Sequence, residues 1–357
     1  MADARRVIVL GGFGFFGGIT VELLRAEGIA PLIGSRRSSA DVVVDVEDRS
    51  SLGAALRSGD VVIDAVGPYQ KRTTLLIEVA VEVGFDVVDL ADNLDYVREV
   101  YEMKDLIDAA RIRVYTACSG MSSISAAMVQ RSGHAEPVRL SGFLVPATRY
   151  TAVAGTAASL FYSVGMPIRV FEGGALVSRD GWRSARSFPM PSPVGNRTGF
   201  LIESVDSITL PALWSTLKTV EFFVDTNVRG LNTLFSIVAR FPALRKLMDT
   251  NQRLGLGLSR FLGRSAGGLG YEIEGADGRI MRLAFTAENR GYITAVTPTV
   301  IVARRLALGG NDPCGLVTPD QHVDPDELVR YLETTGIMFS IEGDNLSDSH
   351  CEPNAHW

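Results

Sequence analysis

The sequence is poor in the residues that build disulfides and metal sites. It contains three cysteines, Cys118, Cys314 and Cys351, and four histidines among 357 residues. These are too few and too widely spaced for a disulfide framework or a thiolate metal site. We therefore expect no metal, and a reducing, cytoplasmic location fits best.

An excess of positive charge is also missing. The chain has 35 Lys and Arg against 41 Asp and Glu, which gives a formal net charge of -6. A protein without surplus cations is poorly suited to neutralise nucleic-acid phosphates, so nucleic acid is not an expected partner.

Long hydrophobic runs are absent as well. The longest stretch without charged residues, Tyr150 to Ile168, is rich in Gly, Ala, Ser and Thr. Its hydroxyl groups would make a bilayer span costly, so we expect no transmembrane segment. The overall composition, 46% hydrophobic and 21% charged, is that of an ordinary globular protein.

The first third alternates short Val/Ile runs with longer amphipathic segments. This is the rhythm of a doubly wound parallel sheet, in which continuous apolar strands are covered on both faces. We assign residues 1–125 to a Rossmann-type α/β domain. The predicted strands are 5–10, 30–34, 42–46, 60–65, 86–90 and 112–117, and the predicted helices are 16–27, 73–83 and 94–110.

Beyond residue 125, strand-like segments are separated by Pro/Gly-rich turns. They predict an α+β substrate domain at 126–298 with mostly antiparallel pairing. Residues 231–262 mix Leu, Phe and Arg at helical spacing, as in a helical cap over a cleft or a surface contact. Residues 299–357 are assigned to C-terminal helices returning to the Rossmann domain and a polar tail. The predicted strands are 138–146, 168–178, 219–225, 269–275 and 279–287, and the predicted C-terminal helices are 299–308 and 325–335.

The strongest motif is a glycine-rich turn between the first strand and the first helix. Gly12, Gly14 and Gly17 follow the pattern GxGxxG, with Phe13, Phe15 and Phe16 between them. Gly12 would allow the sharp reversal, Gly14 the approach of a pyrophosphate, and Gly17 close helix packing. The helix N-terminus would then face the phosphates of a dinucleotide.

The residues at the end of the second strand indicate which dinucleotide the protein binds. An NAD site usually has an acidic residue about 20 residues past the glycines, whereas this chain has Ser35, Arg36 and Arg37. Two guanidinium groups and a hydroxyl suit a 2′-phosphate, so NADP(H) is favoured. The alternative is that the arginines are simply a solvated part of a loop. Asp45 would either border the adenine or cap a loop.

Five motifs are distributed over most of the chain. They are the glycine turn, Val66-Gly67-Pro68-Tyr69, Val88-Asp89-Leu90, Gly155-Thr156-Ala157-Ala158-Ser159 and Gly291-Tyr292. This set of motifs resembles that of the saccharopine dehydrogenase-like oxidoreductases.

The turns Gly67-Pro68-Tyr69, Ala91-Asp92-Asn93 and Ser119-Gly120-Met121 come from consecutive βα units, so they should converge on the nicotinamide half of NADP. The resemblance implies the same for the last two turns. Many relatives have Gly-Glu after Asp-Leu, where this chain has Ala91-Asp92-Asn93, and an F-D-S/P-like turn where it has the segment starting at Cys118. These departures imply an altered substrate. The family includes enzymes that reduce C=N bonds and others that resemble enoyl reductases.

Two side chains are candidates for the proton transfer that accompanies hydride transfer. Tyr69 would donate the proton or orient the substrate, or else only pack beneath the cofactor. Asp92 would act as an acid or bind an amine, or else cap the helix that starts near residue 94.

Thr156 and Ser159 are the expected substrate-binding residues, because the resemblance places their segment at the cleft. Close helix packing is the alternative. Arg149 is an expected partner for a substrate carboxylate, with Arg197 and Arg290 as alternatives. Cys118 as a nucleophile would indicate a semialdehyde dehydrogenase, although a buried thiol is the commoner role of a lone cysteine.

The sequence thus predicts an NADP(H)-dependent oxidoreductase that transfers a hydride to a C=N or C=C bond of a small organic molecule. A non-catalytic NADP(H)-sensing or scaffold protein is the main alternative, because a fold does not dictate chemistry. A homodimer is left open.

Overall fold

The computed structural model describes residues 5–241, 245, 252–310 and 312–343. Seven strands form a parallel sheet in the order β3-β2-β1-β4-β5-β6-β15. All four residues of each of β1, β4 and β5 are buried, as expected for central strands with helices on both faces. The strands are β1 (Val7–Leu10), β2 (Leu32–Ser35), β3 (Val42–Val43), β4 (Val61–Asp64), β5 (Asp86–Asp89), β6 (Arg113–Tyr115) and β15 (Gly315–Leu316).

The helices of this half connect consecutive strands or cover the sheet. The predicted helix 94–110 is divided at Met103, whose ψ of 5° lies outside the helical range. The strand predicted at 42–46 comprises only Val42–Val43 in the structure. The helix that follows it, Arg49–Ala55, was not predicted. The helices are α1 (Phe15–Ala26), α2 (Arg49–Ala55), α3 (Leu75–Val83), α4 (Leu94–Glu102), α5 (Lys104–Ala110) and α6 (Ser123–Arg131).

A second sheet follows the order β10-β11-β12-β7-β13-β14-β16, and β8 pairs with both β12 and β9. Its pairings are antiparallel except for the parallel pair of β12 and β7. The predicted strand 168–178 is the hairpin of β8 and β9. The strands are β7 (Pro137–Val145), β8 (Pro167–Glu172), β9 (Ala175–Asp180), β10 (Ala185–Phe188), β11 (Arg197–Ile202), β12 (Thr219–Val224), β13 (Gly267–Gly275), β14 (Ile280–Ala287) and β16 (Met338–Gly343).

The helices of the second half lie mostly between its strands. None of the helices in the described ranges is both long and apolar enough to cross a membrane. They are α7 (Thr148–Thr151), α8 (Ala154–Ser163), α9 (Asp206–Thr209), α10 (Leu231–Arg240), α11 (Gln252–Leu262), α12 (Thr297–Ala307) and α13 (Pro325–Thr334).

The C-terminal segment joins both sheets. α12 packs on α1, β4 and β5, and β15 extends the parallel sheet beside β6. β16, which was not predicted, pairs instead with β14 at the edge of the second sheet. Of the predicted polar tail at 343–357, Gly343 is the last residue of β16, and residues 344–357 lie outside the described residues.

One buried apolar cluster connects the two halves. It includes Val9 and Ile63 from the parallel sheet, Tyr271 and Phe285 from the second sheet, and Val300 from α12. The predicted α/β fold with a second sheet-containing domain is therefore confirmed.

Candidate active site

The glycine turn lies where the order of the parallel sheet reverses, between β1 and β4. Val9 of β1 pairs with Ile33 on one side and Ile63 on the other. β2, the next strand along the chain, lies on one side of β1, and β4 lies on the other side. Ligands of open α/β sheets bind at the carboxyl ends of the strands at such a switch point.

Each position of the turn requires glycine for a different steric reason. Gly11, which precedes the motif, adopts the left-handed conformation at φ +75°. A Cβ on Gly12 would lie 2.9 Å from a side-chain carbon of Ile33, and one on Gly17 would lie 2.2 Å from the carbonyl oxygen of Gly11. A side chain at Gly17 would push α1 away from the turn, and one at Gly12 would force the Ile33 side chain of β2 to move.

Gly14 has a different environment. It is the N-cap of α1, and no side chain caps this helix end. The nearest atom to an added Cβ at Gly14 is the Gly11 carbonyl oxygen at 3.0 Å, and the residue lines the main cavity. The turn therefore presents backbone and a helix N-terminus to a ligand, which suits a pyrophosphate.

Ser35, Arg36 and Arg37 end β2 beside this turn. The Arg37 guanidinium stacks 5.2 Å from the ring centroid of Phe13. Arg36 has an 80% exposed side chain and lies 4.0 Å from the Asp45 carboxylate, which also accepts a hydrogen bond from the backbone of Glu47. Asp45 therefore caps a loop, one of its two predicted roles, and the two arginines stay available to an anionic ligand.

A cavity of about 490 Å³ extends from the glycine turn to the second sheet. The structure brings most of the predicted site residues together at its wall. From the parallel-sheet half these are Gly14, Phe15, Phe16, Gly67, Pro68, Tyr69, Asp92, Ser119, Gly120 and Met121, and from the second half Thr156 and Ser159. Among the predicted residues outside the wall are Gly12, Gly17, Arg36, Arg37 and Arg149.

Asp92 is the titratable side chain best placed for chemistry. Asn93, not Asp92, caps α4, because its side chain accepts a hydrogen bond from the Tyr96 N–H at 3.0 Å. The Oδ1 atom of Asp92 is buried and has no hydrogen-bond partner among the described residues. Burial raises the pKa of Asp92, and a hydrogen-bonding interaction with Ser159 partly opposes this rise. Asp92 is thus suited to carry a proton.

Tyr69 lines the cavity, but its hydroxyl is engaged in the protein. It donates a hydrogen bond to the Asp64 carbonyl oxygen at 2.8 Å and accepts one from the Leu90 N–H at 3.2 Å. Burial raises the pKa of Tyr69 well above its ordinary value. This geometry favours the packing role, and it gives no support to Tyr69 as the proton donor.

Arg72, which the sequence analysis missed, fixes the loop that carries Gly67 and Pro68. Its guanidinium contacts both carboxylate oxygens of Asp64, at 3.2 and 2.9 Å, and donates to the Val66 carbonyl oxygen at 2.6 Å. The loop at the end of β4 is thereby held against the sheet. A buried Asp at the end of β4 was the available sequence signal, because such a charge requires a partner.

The second domain contributes the opposite wall of the cavity. The Thr156 hydroxyl on α8 is buried and has no hydrogen-bond partner among the described residues. Ser159, one turn later, lies within 3.5 Å of Gln70 across the cavity. Both positions agree with the expected cleft.

The arginines proposed to bind a substrate carboxylate lie elsewhere. Arg149 is exposed on α7, and Arg290 pairs with Glu22 at 2.7 Å. Arg197 borders a separate surface depression beside Phe188. The structure places none of the three at the wall of the main cavity.

Cys118 does not have the environment of a nucleophile. Its thiol is fully buried, and burial raises its pKa to about 12. It is not among the residues that line the cavity. The structure therefore contradicts the semialdehyde dehydrogenase alternative, because a nucleophilic cysteine needs access and a lowered pKa.

Comparisons with known proteins identify the fold. No family model matches the sequence, and no curated protein does. The apo saccharopine dehydrogenase (L-Glu forming) from Saccharomyces cerevisiae is similar over 96% of this chain and 100% of its own, with a TM-score of 0.62 and 14% identity. A myo-inositol 2-dehydrogenase from Lactobacillus plantarum covers 93% of this chain and 97% of its own, with a TM-score of 0.43 and 9% identity. The first of these confirms the fold expected from the resemblance.

Proposed function

We propose that the protein is an NADP(H)-dependent oxidoreductase that reduces a C=N or C=C bond of a small organic molecule. One observation carries this proposal. A single cavity joins the glycine turn at the sheet's switch point to a buried carboxyl group, Asp92, that has an unpartnered oxygen. Nucleotide recognition and proton transfer therefore meet in one enclosed space.

The residues present fit a dinucleotide. Gly14 and the uncapped start of α1 would receive the pyrophosphate, and Arg36 and Arg37 would bind a 2′-phosphate. The turns at Gly67 and Ser119 follow β4 and β6, on either side of β5, and line the cavity further along. They would hold the nicotinamide, which when bound supplies the hydride.

The chain's own contribution is to orient the substrate and to move one proton. Thr156 and Ser159 would hold the substrate against the turns on the opposite wall. Asp92 would release its proton from the carboxyl group to the atom of the double bond that does not receive the hydride. The carboxylate would then regain a proton from solvent, which completes the balance of the reduction.

The function is tested first by cofactor binding. NADPH and NADH are titrated against the full chain by fluorescence, together with Arg36→Ala/Arg37→Ala. We expect NADPH to bind more tightly, and the double variant to lose about tenfold or more of its NADPH affinity with little change for NADH. Equal affinity for the two cofactors would refute the specificity, and no binding of either would refute the function.

Turnover is then tested with 2-methyl-1-pyrroline as a C=N substrate and 2-cyclohexen-1-one as a C=C substrate. NADPH oxidation with either separates an enzyme from an NADP(H)-sensing protein. The Cys118→Ser variant serves as a control, because a buried thiol outside the cavity should not affect the rate.

A further inference from the structure

The wall of the main cavity carries few charged side chains. Most of it is apolar, and among the described residues that line it there is no Lys or Arg. Glu203 is one of its acidic residues, but Arg169 neutralises it at 2.8 Å. Arg169 also holds Asp95 at 2.5 Å, so its own charge is satisfied by two carboxylates.

Asp92 is consequently the one acidic group of the described wall that has no cationic partner. A substrate carboxylate placed beside it would lose its hydration without gaining a positive charge, and it would repel the ionised form of Asp92. An amide, carbonyl or imine could instead use the free Asp92 oxygen and the unpartnered Thr156 hydroxyl. Apolar parts would contact residues such as Leu160, Phe222 and Leu269.

We infer that the substrate is an apolar molecule without a carboxylate near the reacting bond, held by one uncharged polar group at Asp92 and Thr156. This inference rests on the proposed function, since it concerns the substrate of that reaction. It also separates this protein from enzymes that act on amino acids, whose carboxylates require a cation in the site.

The test compares two probes of equal length, hexanamide and hexanoate, by calorimetry on the full chain with and without NADP. We expect hexanamide to bind about tenfold or more tightly than hexanoate. Asp92→Asn should narrow this difference by improving hexanoate binding, because it removes the repulsion. Glu99→Gln, an exposed change on α4, should leave the difference unchanged.

Tighter or equal binding of hexanoate would overturn the inference, and so would binding of neither probe. The proposed function fails separately, through the absence of cofactor binding. If the protein binds hexanamide but does not bind NADPH, the inference of an apolar site stands and the proposed oxidoreductase function is refuted.

A second, independent observation concerns the surface of α10 and α11. Each helix exposes an apolar stripe at helical spacing, and Phe261 is 82% exposed while Leu258 is 60% exposed. Isolated exposed apolar residues are normal, but a cluster of this kind marks an interaction site. The six residues are Leu234, Ile237, Phe241, Leu258, Phe261 and Leu262.

The same two helices are basic in an acidic protein. α10 and α11 contain three arginines and no acidic residue, whereas the whole chain has a net charge of -6. Arg240 donates to the Ser236 carbonyl oxygen at 2.9 Å and Arg260 to that of Ala152 at 2.8 Å. Neither has a carboxylate partner among the described residues.

Both helices pack against α8, which forms part of the cavity wall. The rings of Phe235 on α10 and Phe161 on α8 lie 5.4 Å apart, and α11 also contacts α8. Basic helices with exposed aromatic and leucine side chains suit the surface of an anionic bilayer. We propose that the exposed apolar residues of α10 and α11 bind an anionic membrane surface, with α8, which both helices contact, close to the lipid.

Vesicle co-sedimentation of the full chain tests this proposal. We expect binding to phosphatidylcholine vesicles that contain about 30 mol% phosphatidylserine, weaker binding to pure phosphatidylcholine, and a decrease with added salt. Leu258→Ser/Phe261→Ser should reduce binding about tenfold or more. Leu106→Ser, which changes a leucine with 59% exposure on α5, should not.

Absence of vesicle binding would overturn the proposal, as would equal binding by the double variant. Circular dichroism verifies that both variants remain folded. If the wild-type protein does not bind vesicles and the double variant has a lower assembly mass in solution than the wild type, these residues form a contact between copies of the chain.

Discussion

At the scale of single residues, Asp92 and its neighbour Asn93 have different roles. Both follow β5, and either could cap a helix by residue type. Asn93 provides the cap, which leaves the Asp92 carboxyl facing the cavity with an unpartnered oxygen. The sequence showed that a polar residue belonged here, but not which of the two took each role, because capping depends on backbone angles that residue type alone does not fix.

Replacement of Asp92 by Asn should therefore affect catalysis more than binding. We expect Asp92→Asn to lower kcat for NADPH oxidation by about 10²-fold or more with little change in NADPH affinity. Since burial raises the pKa of Asp92, the wild-type rate should fall as pH rises through a value above the ordinary range of an aspartate. Steady-state kinetics across pH measures both effects. A variant with wild-type kcat would remove Asp92 from the mechanism.

Asp89 makes stability depend on pH. Its Oδ1 atom accepts hydrogen bonds from the N–H groups of Ala91 and Ala117, and burial raises its pKa to about 7. The folded state then binds more protons than the unfolded state between about pH 4 and pH 7, so stability falls as pH rises through this window. Asp89→Asn keeps the acceptor oxygen and removes the charge.

We expect Asp89→Asn to raise Tm relative to wild type by about 2 °C or more at about pH 8, and to give less or no gain near pH 5. Thermal unfolding at both pH values measures the difference. A gain of the same size at both would show that the charge of Asp89 has no part in it.

At the scale of elements, the β1-turn-α1 unit was the most predictable part of the chain. A buried strand, a glycine turn and an amphipathic helix are all specified by residues close in sequence. The pairing of β12 with β7 and of β16 with β14 was not predicted, because it joins segments far apart in the sequence. Alternation within a strand gives its faces but not its neighbours.

The two glycines of this unit should respond differently to substitution. Gly17→Ala should destabilise the fold, because its Cβ would lie 2.2 Å from the Gly11 carbonyl oxygen. Gly14→Val should leave the protein folded and abolish NADPH binding, because the added side chain would occupy the place of the pyrophosphate. Circular dichroism and cofactor titration separate the outcomes. Retained NADPH binding in folded Gly14→Val would show that the dinucleotide does not cross this turn.

At the scale of the whole molecule, contacts between the two halves build the site. Asp206 of α9 accepts hydrogen bonds from the Ser122 N–H at 2.5 Å and from the Ser125 hydroxyl at 2.9 Å, and so ties the start of α6 to the second domain. Arg169 of β8 similarly joins Asp95 of α4 to the second domain. Such partners are distant in sequence, so residue patterns predicted the cofactor side of the cavity better than the substrate side.

The most direct test of the central claim is a crystal structure of the full chain with NADPH bound. We predict that the pyrophosphate lies on the turn at Gly14, and that the nicotinamide ring lies in the cavity between the turns at Gly67 and Ser119. The Asp92 carboxyl should then lie within about 4 Å of the space beside nicotinamide C4 where a substrate would react. A nicotinamide bound outside this cavity, or one separated from Asp92 by the protein wall, would contradict the proposed active site.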